Sequence, residues 1–304
     1  MLKKAAVLVA VIFFVCLVFY GIGRIRSLGD TLPIRYDANA LATTPSGNIR
    51  IASYNIAHGR GSVLEASNWD GSKQEKFARL EAIGAALKKA EIDIAILNEA
   101  DFAAAWSENL NQAEIIAKAG GFAYWTEQPN YDLLLPGFSL RFGNAILSRH
   151  PITIATREKL KPLKSLEALA YGNHDALRVE VNVGNSNIRI WALHLDVRDS
   201  GTRVTAANQI LNQLDLSIPT ILAGDINSSP STTSETTAYN LFSEFNGLST
   251  FPTIDQAAFT FPTNEPNRTL DWIFYSNHFS LLAGEVPTYN FSDHLPVMVE
   301  LRLK

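Results

Sequence analysis

Asn55, Glu99, His194, Asp225, Asn227, Asp293 and His294 each lie at or just after the end of a run of apolar, β-prone residues. Buried strands hold such end residues rigidly while the loops around them stay open, so separate strand ends can converge on one crevice. Carboxylates and side-chain amides are the ligands of hard cations. Glu99, Asp225, Asp293, Asn55 and Asn227 make an oxygen set suited to magnesium, with manganese or calcium as substitutes. Magnesium keeps several waters and shares its shell with a bound anion, so few protein ligands suffice. Zinc fits less well, because the chain has one cysteine, Cys16, and no HExxH or similarly tight histidine cluster. Taken singly these residues mean less: Glu99 reads as a surface acid after a strand, and GDINSSP from Gly224 as an ordinary turn. The apolar run PTILA before that turn favours a site.

The elements that must hold these residues are legible as alternating strand and helix patterns. Ile49 to Ile56 alternates and is β-branched, so it reads as a strand, and Ile92 to Leu97 is a continuous apolar run that fits a strand buried on both faces. Ser72 and Glu75 form a capping box before Phe77, Leu80, Ile83 and Leu87, with Lys88 and Lys89 in the last turn, which predicts a helix. Further strands are expected over Asn144 to Ser148, Ala176 to Val183, Ile188 to His194, Thr220 to Gly224, Leu270 to Tyr275 and Val297 to Leu303. A second helix is expected from Arg203 to Leu214.

From Ala5 to Gly23 the chain carries no charge, which at helical rise matches the roughly 20 residues needed to cross a bilayer core. A cleaved signal peptide is the competing reading, but bulky Phe19, Tyr20 and Ile22 leave no small-x-small cleavage site. The expected organisation is a short flank over residues 1–4, a transmembrane helix over 5–23, a linker over 24–48 and one catalytic domain over 49–304. A short N-terminus favours a single-pass protein with the domain outside the cytoplasm. The formal net charge of −4 includes Lys3, Lys4, Arg24 and Arg26, so the remainder is more acidic still and lacks the basic footprint of a nonspecific duplex-DNA binder. At 47% hydrophobic residues the chain can build a sizeable core. It is expected to be a monomer.

The segments SYNIAHG (53–59), ILNEAD (96–101), GNAILSRHPI (143–152), WALHLD (191–196), AGDINSSP (223–230), TLDWIFYS (269–276) and SDHLPV (292–297) resemble, in order and approximate spacing, those of the endonuclease/exonuclease/phosphatase superfamily, the deoxyribonuclease-I-like fold. The resemblance implies a four-layer α/β/β/α sandwich of two mainly antiparallel sheets, and metal-dependent phosphoester hydrolysis. It implies that Glu99 and Asn55 hold the principal divalent cation, with Asp293 contributing a carboxylate on the metal side. Asp225 and Asn227 would contact phosphate, orient the attacking water or hold a second metal; His294, oriented by Asp271, would face the phosphate, with His194 on its other side. Arg141, Asn144 and His58 are further candidate phosphate contacts, although His58 equally suits a local hydrogen bond. His150, His174 and His278 read as structural or solvent-facing.

Asn98 stands where many members have Gln, and HLD at 194–196 departs from the apurinic-repair branch toward the deoxyribonuclease, sphingomyelinase and phosphoinositide-phosphatase side. With the anchor and the acidic domain, this favours a phospholipid-type substrate over nucleic acid. A membrane-tethered nuclease is the alternative enzyme. A catalytically inactive anchored binding module is the alternative of another class; it should lack at least one of these groups, and none is missing. Trp106 and the Leu133 to Phe138 stretch are expected to form an apolar lip that meets lipid.

Overall fold

A computed structural model describes residues 2–26, 29–40, 47–160, 174–230, 235–252 and 258–304. After helix α1 (Leu2–Arg26) the chain forms two mixed sheets flanked by helices, as expected. One sheet has seven strands in the order β1 (Ile34–Tyr36), β4 (Tyr124–Leu135), β5 (Phe138–Ser148), β3 (Ile94–Asp101), β2 (Asn48–Asn55), β13 (Val297–Leu303), β12 (Phe279–Glu285). The other has six: β10 (Leu248–Phe251), β11 (Asp271–Ser276), β9 (Thr220–Asp225), β8 (Ser186–His194), β7 (Ala176–Val183), β6 (Ile152–Glu158). Among the described strands, β2–β3 and β8–β9 pair in parallel and the other strand pairings are antiparallel.

Alternation along the strands sorts the apolar residues into three layers. Ile51, Ile96 and Val297 of one sheet meet Ile190, Ile221 and Ile273 of the other between the sheets. Ala52, Ala95 and Leu97 point the opposite way, onto α2 (Lys73–Lys89) and α3 (Gln112–Gly120). On the far side Trp191, Leu222 and Trp272 are covered by α4 (Ser200–Leu211) and α5 (Ala238–Ser243). The capping box at α2 is formed, with Ser72 accepting from the Glu75 backbone and Glu75 from that of Ser72. The second predicted helix is α4, shifted three residues toward the N-terminus because Asp199 caps it.

One region differs from the sequence reading. Within the stretch read as a linker, Ile34–Tyr36 is an edge strand on β4. It is three exposed residues with no buried face, so no hydrophobic period marks it. Residues 27–28 and 41–46 of that stretch lie outside the described ones.

At the site, β8 and β9 approach each other closely at Gly224. Gly224 has φ +146°, and a Cβ there would lie 1.8 Å from the Leu193 carbonyl oxygen. Gly224→Ala should therefore cost about 3 kcal/mol or more, at or above the upper end of the usual range for overpacked cores. At about 2–4 °C per kcal/mol for a domain of this size, the melting temperature should fall by roughly 10 °C. Near-ultraviolet circular dichroism of the full chain in detergent tests this; an unchanged melting temperature would mean β8 and β9 can separate freely.

Candidate active site

The crevice opens where β2 and β3 of one sheet face the ends of β8, β9 and β11 of the other. Asn55 ends β2, and Glu99 sits in β3 where the pairing with β5 slips between Leu97 and Ala100. Glu99 has φ +51°, a left-handed conformation that a β-bulge imposes and that turns its side chain out of the pleat. His194 and Asp225 are register partners, as are Asp225 and Asp271, so three functional residues stand side by side across neighbouring strands. Asp293 and His294 come from the loop before β13. That loop is tied to β2 by Ser292, whose hydroxyl donates to the Asn55 carbonyl at 2.7 Å.

These residues form one network. His294 Nδ1 lies 2.8 Å from Asp271 Oδ2, and its Nε2 lies 3.7 Å from Asp225 Oδ2. The Asn55 amide donates to Glu99 Oε1 at 3.2 Å and to Asp225 Oδ2 at 3.0 Å. His194 Nε2 is 3.8 Å from Glu99 Oε1 and 3.9 Å from Asp225 Oδ2. His58 joins them, with Nε2 3.4 Å from Glu99 Oε2 and Nδ1 2.7 Å from Asp101 Oδ1. Asn227, at φ +48°, turns back so that its amide donates to the Leu195 carbonyl at 3.1 Å. Asn144 does not enter the crevice directly: it donates to Gln128 at 2.9 Å and accepts from Asn98 at 2.8 Å. Asn98 in turn accepts from the Asp225 backbone at 2.9 Å. The Asn98 side chain, short as it is, thus uses both ends of its amide to link the two sheets. Arg141 is paired with Glu127 and Asp132 at 3.3 and 3.4 Å.

Three placements bear on the expected ligand set. Asn55 turns its amide nitrogen toward the carboxylates while its oxygen accepts from the Ala57 backbone at 3.0 Å, so it bridges Glu99 and Asp225. Asp293 is held by the guanidinium of Arg60. Trp106, expected on a lipid-facing lip, donates its indole N–H to Asp101 at 2.8 Å and packs on His58 and Phe142, forming a wall of the crevice. Arg60 and Asp101 carry no candidate role in the sequence reading, and Asn98 is singled out there only as standing where many members have Gln. Asp101 has a signal there, since it closes the same ILNEAD segment as Glu99.

The electrostatics favour a cation. Burial opposes ionisation of Glu99, but His58, His194, His294 and the Asn55 hydrogen bond outweigh it and hold the carboxyl at about 2. Burial and the neighbouring Asp271 push Asp225 upward. Burial works against the imidazolium of His294, yet Asp271 and Asp225 prevail and raise it to about 10. Asp271 Oδ1 is buried without a hydrogen-bond partner in the protein. Donor atoms of Asp225, Asp271 and His294 lie within 4.8 Å of one another. Four clustered acids, most of them buried, with a surplus acceptor and mostly oxygen donors fit a hard divalent ion.

His174 sits at the rim, its Nδ1 3.2 Å from the His194 carbonyl and its Nε2 3.6 Å from Asp196. Burial, then His194, push its pKa down to about 4. Because the folded state resists this proton and the unfolded chain takes it up from about pH 6.5, stability should fall as pH drops from 6.5 toward 4. The loss is about 2–3 kcal/mol after discounting for partial exposure. His174→Gln should flatten that interval in denaturant titrations; an unaltered curve would contradict the burial.

The model of the endonuclease/exonuclease/phosphatase family matches residues 52–294. No curated protein matches the sequence. Among solved structures, an endonuclease/exonuclease/phosphatase from Beutenbergia cavernae is 22% identical with a TM-score of 0.64, over 84% of this chain and 72% of that one. The human nocturnin catalytic domain with bound sulfate is 19% identical with a TM-score of 0.60, over 90% and 98%. A mannosyl-6-phosphatase from Bacteroides thetaiotaomicron is 19% identical with a TM-score of 0.61, over 83% and 99%. At these identities the structural likeness speaks for the fold.

Proposed function

Because the chain belongs to the endonuclease/exonuclease/phosphatase family, we propose that it is a divalent-metal-dependent phosphoesterase, anchored by α1 as a single membrane span with its catalytic domain outside the cytoplasm. The observation that carries this reading is the convergence of Glu99, Asn55, Asp225, His194 and the Asp271–His294 pair on one crevice between the sheets. Glu99, aligned by Asn55, would hold magnesium, manganese or calcium together with the oxygens of Asp225 and of Asp293 once it leaves Arg60. The bound ion supplies neutralisation of the nonbridging phosphate oxygens.

The remaining work falls to side chains. Asp271 fixes the tautomer of His294 and keeps it protonated, so Nε2–H donates to a phosphate oxygen and stabilises its charge as the ester bond breaks. Asp225, flanked by Asn55 and His294, orients the attacking water and takes its proton. His194, on the opposite side, faces the leaving oxygen. Asn227 holds the loop after β9 so that Asp225 points into the crevice, and Arg141, Asn144 and His58 serve as positioning residues. His58 does so through Glu99.

A phospholipid-type ester is the favoured substrate, supported by the span and the acidic domain; DNA or RNA is the alternative. Assaying the full chain in bilayers against sphingomyelin, phosphoinositides and plasmid DNA tests this. Preferred cleavage of a lipid is expected, and preferred cleavage of the plasmid would overturn the lipid reading in favour of a nuclease. A folded chain that cleaves nothing would point to the inactive binding module.

A further inference from the structure

The span and the crevice are joined by one piece of structure, the β4–β5 hairpin. Beyond the cross-strand pair Asp132–Arg141 its end reads LLLPGFSL, eight residues without a charge. Leu133, Leu134, Leu135 and Phe138 are half-buried, and Pro136 and Gly137 at the turn are exposed. A charged pair followed by an apolar tip is the pattern of a segment that crosses from water into an apolar phase.

Helix α1 packs against β4. At Gly23 the two backbones approach so closely that a Cβ would lie 3.1 Å from the Asp132 carbonyl oxygen and 3.2 Å from Leu134 Cβ. From Ala5 to Val15 the helix is exposed all round, as a lipid-facing span must be, whereas Cys16, Phe19, Tyr20 and Gly23 recur at one-turn spacing as a less exposed face. From Cys16 to Gly23 the helix rises about 10 Å, the depth to which interfacial segments sink below the headgroups. The apolar candidate span runs to Gly23, so the strand that covers this face lies at the level of the last turns of the span.

The other end of the hairpin is the wall of the crevice. Tyr131 and Phe142, each one residue from the charged pair, are register partners whose rings stack at 5.4 Å. Phe142 packs on His58 at 5.0 Å, and His58 touches Glu99. From the Phe138 end to Phe142 is four residues of strand, about 13 Å. With its tip at interfacial depth, the hairpin sets the crevice level with lipid headgroups.

Resting on the phosphoesterase and anchor readings above, we propose that the apolar end of the β4–β5 hairpin inserts beside α1 into the leaflet where the span ends, and that the enzyme hydrolyses the phosphoester of a lipid in that same bilayer. The span tethers, and the hairpin fixes height and tilt.

Two arms test this on the full chain in phosphatidylcholine bilayers that contain sphingomyelin and a phosphatidylinositol phosphate. In a Cys16→Ala background, nitroxides are placed at Pro136→Cys on the hairpin and at Asn185→Cys in the exposed β7–β8 turn. Oxygen should relax the label at 136 more strongly than a water-soluble nickel chelate does, with the reverse at 185. Equal, water-like behaviour at both would overturn the insertion. In the second arm, Leu135→Ser/Phe138→Ser should lower hydrolysis of the bilayer lipids about 10-fold and leave bis-p-nitrophenyl phosphate unchanged. Equal loss on both substrates would overturn the hairpin's role in delivering lipid. Wild-type chain that hydrolyses neither would sink the phosphoesterase reading, while the nitroxide result would still decide the insertion.

Discussion

Glu99→Gln is expected to slow hydrolysis of bis-p-nitrophenyl phosphate by about 10²- to 10³-fold, the range for deleting one group that sustains transition-state charge. Glu99 is held at about 2 by His58, His194 and His294 against its burial, so it is anionic at every working pH. Gln keeps the shape and an oxygen to accept from Asn55 at the 3.2 Å position, but removes the charge that attracts a cation. Two readouts should move together: the rate, and the heat of manganese binding in calorimetry. Melting temperature should hardly change, because the bulge at Glu99 survives an isosteric exchange. A variant with wild-type rate and wild-type metal binding would remove Glu99 from the site.

Asp271→Asn should cost about 10²- to 10⁴-fold in kcat with little change in KM, as expected where an orienting carboxylate fixes a histidine tautomer. Burial alone would lower the His294 pKa, and Asp271 is the first of the groups that reverse this and raise it to about 10. With the carboxylate gone, His294 should lose its proton at much lower pH. The wild-type rate should hold well above neutrality, and the variant's rate should decline already as pH rises through the neutral range. Measuring kcat from pH 5 to 10 in both proteins checks the sign. An unchanged alkaline limb would mean that His294 is not the protonated partner of the phosphate.

Strands with strict alternation are legible to the residue: Ala176–Val183 and Val297–Leu303 have the bounds that their pattern predicts. Others are not, for physical reasons. β4 carries Gln128, Pro129 and Asp132, polar or strand-averse residues that no apolar period marks, and Gln128 and Asp132 are met across the hairpin by Asn144 and Arg141. β12 is mostly exposed, and α3 has only nine residues, so neither offers a long apolar period.

At the site, residue identities are readable from ordered motifs, whereas the atoms that face one another are not. Asn55 reads as an oxygen donor, yet its nitrogen faces the carboxylates because the Ala57 N–H occupies its oxygen. Asp293 reads as facing metal, yet Arg60 lies against it, a pairing 233 residues apart that no local pattern encodes. His174 reads as structural or solvent-facing, and the structure sets it against His194.

The most direct test of metal-assisted phosphoester hydrolysis is the rate of bis-p-nitrophenyl phosphate cleavage by the full chain before chelation, after removal of divalent ions, and after magnesium or manganese is restored. Activity that vanishes on chelation and returns with the ion is the predicted result. Cleavage that persists undiminished in chelator would contradict a metal-holding role for Glu99 and its neighbours.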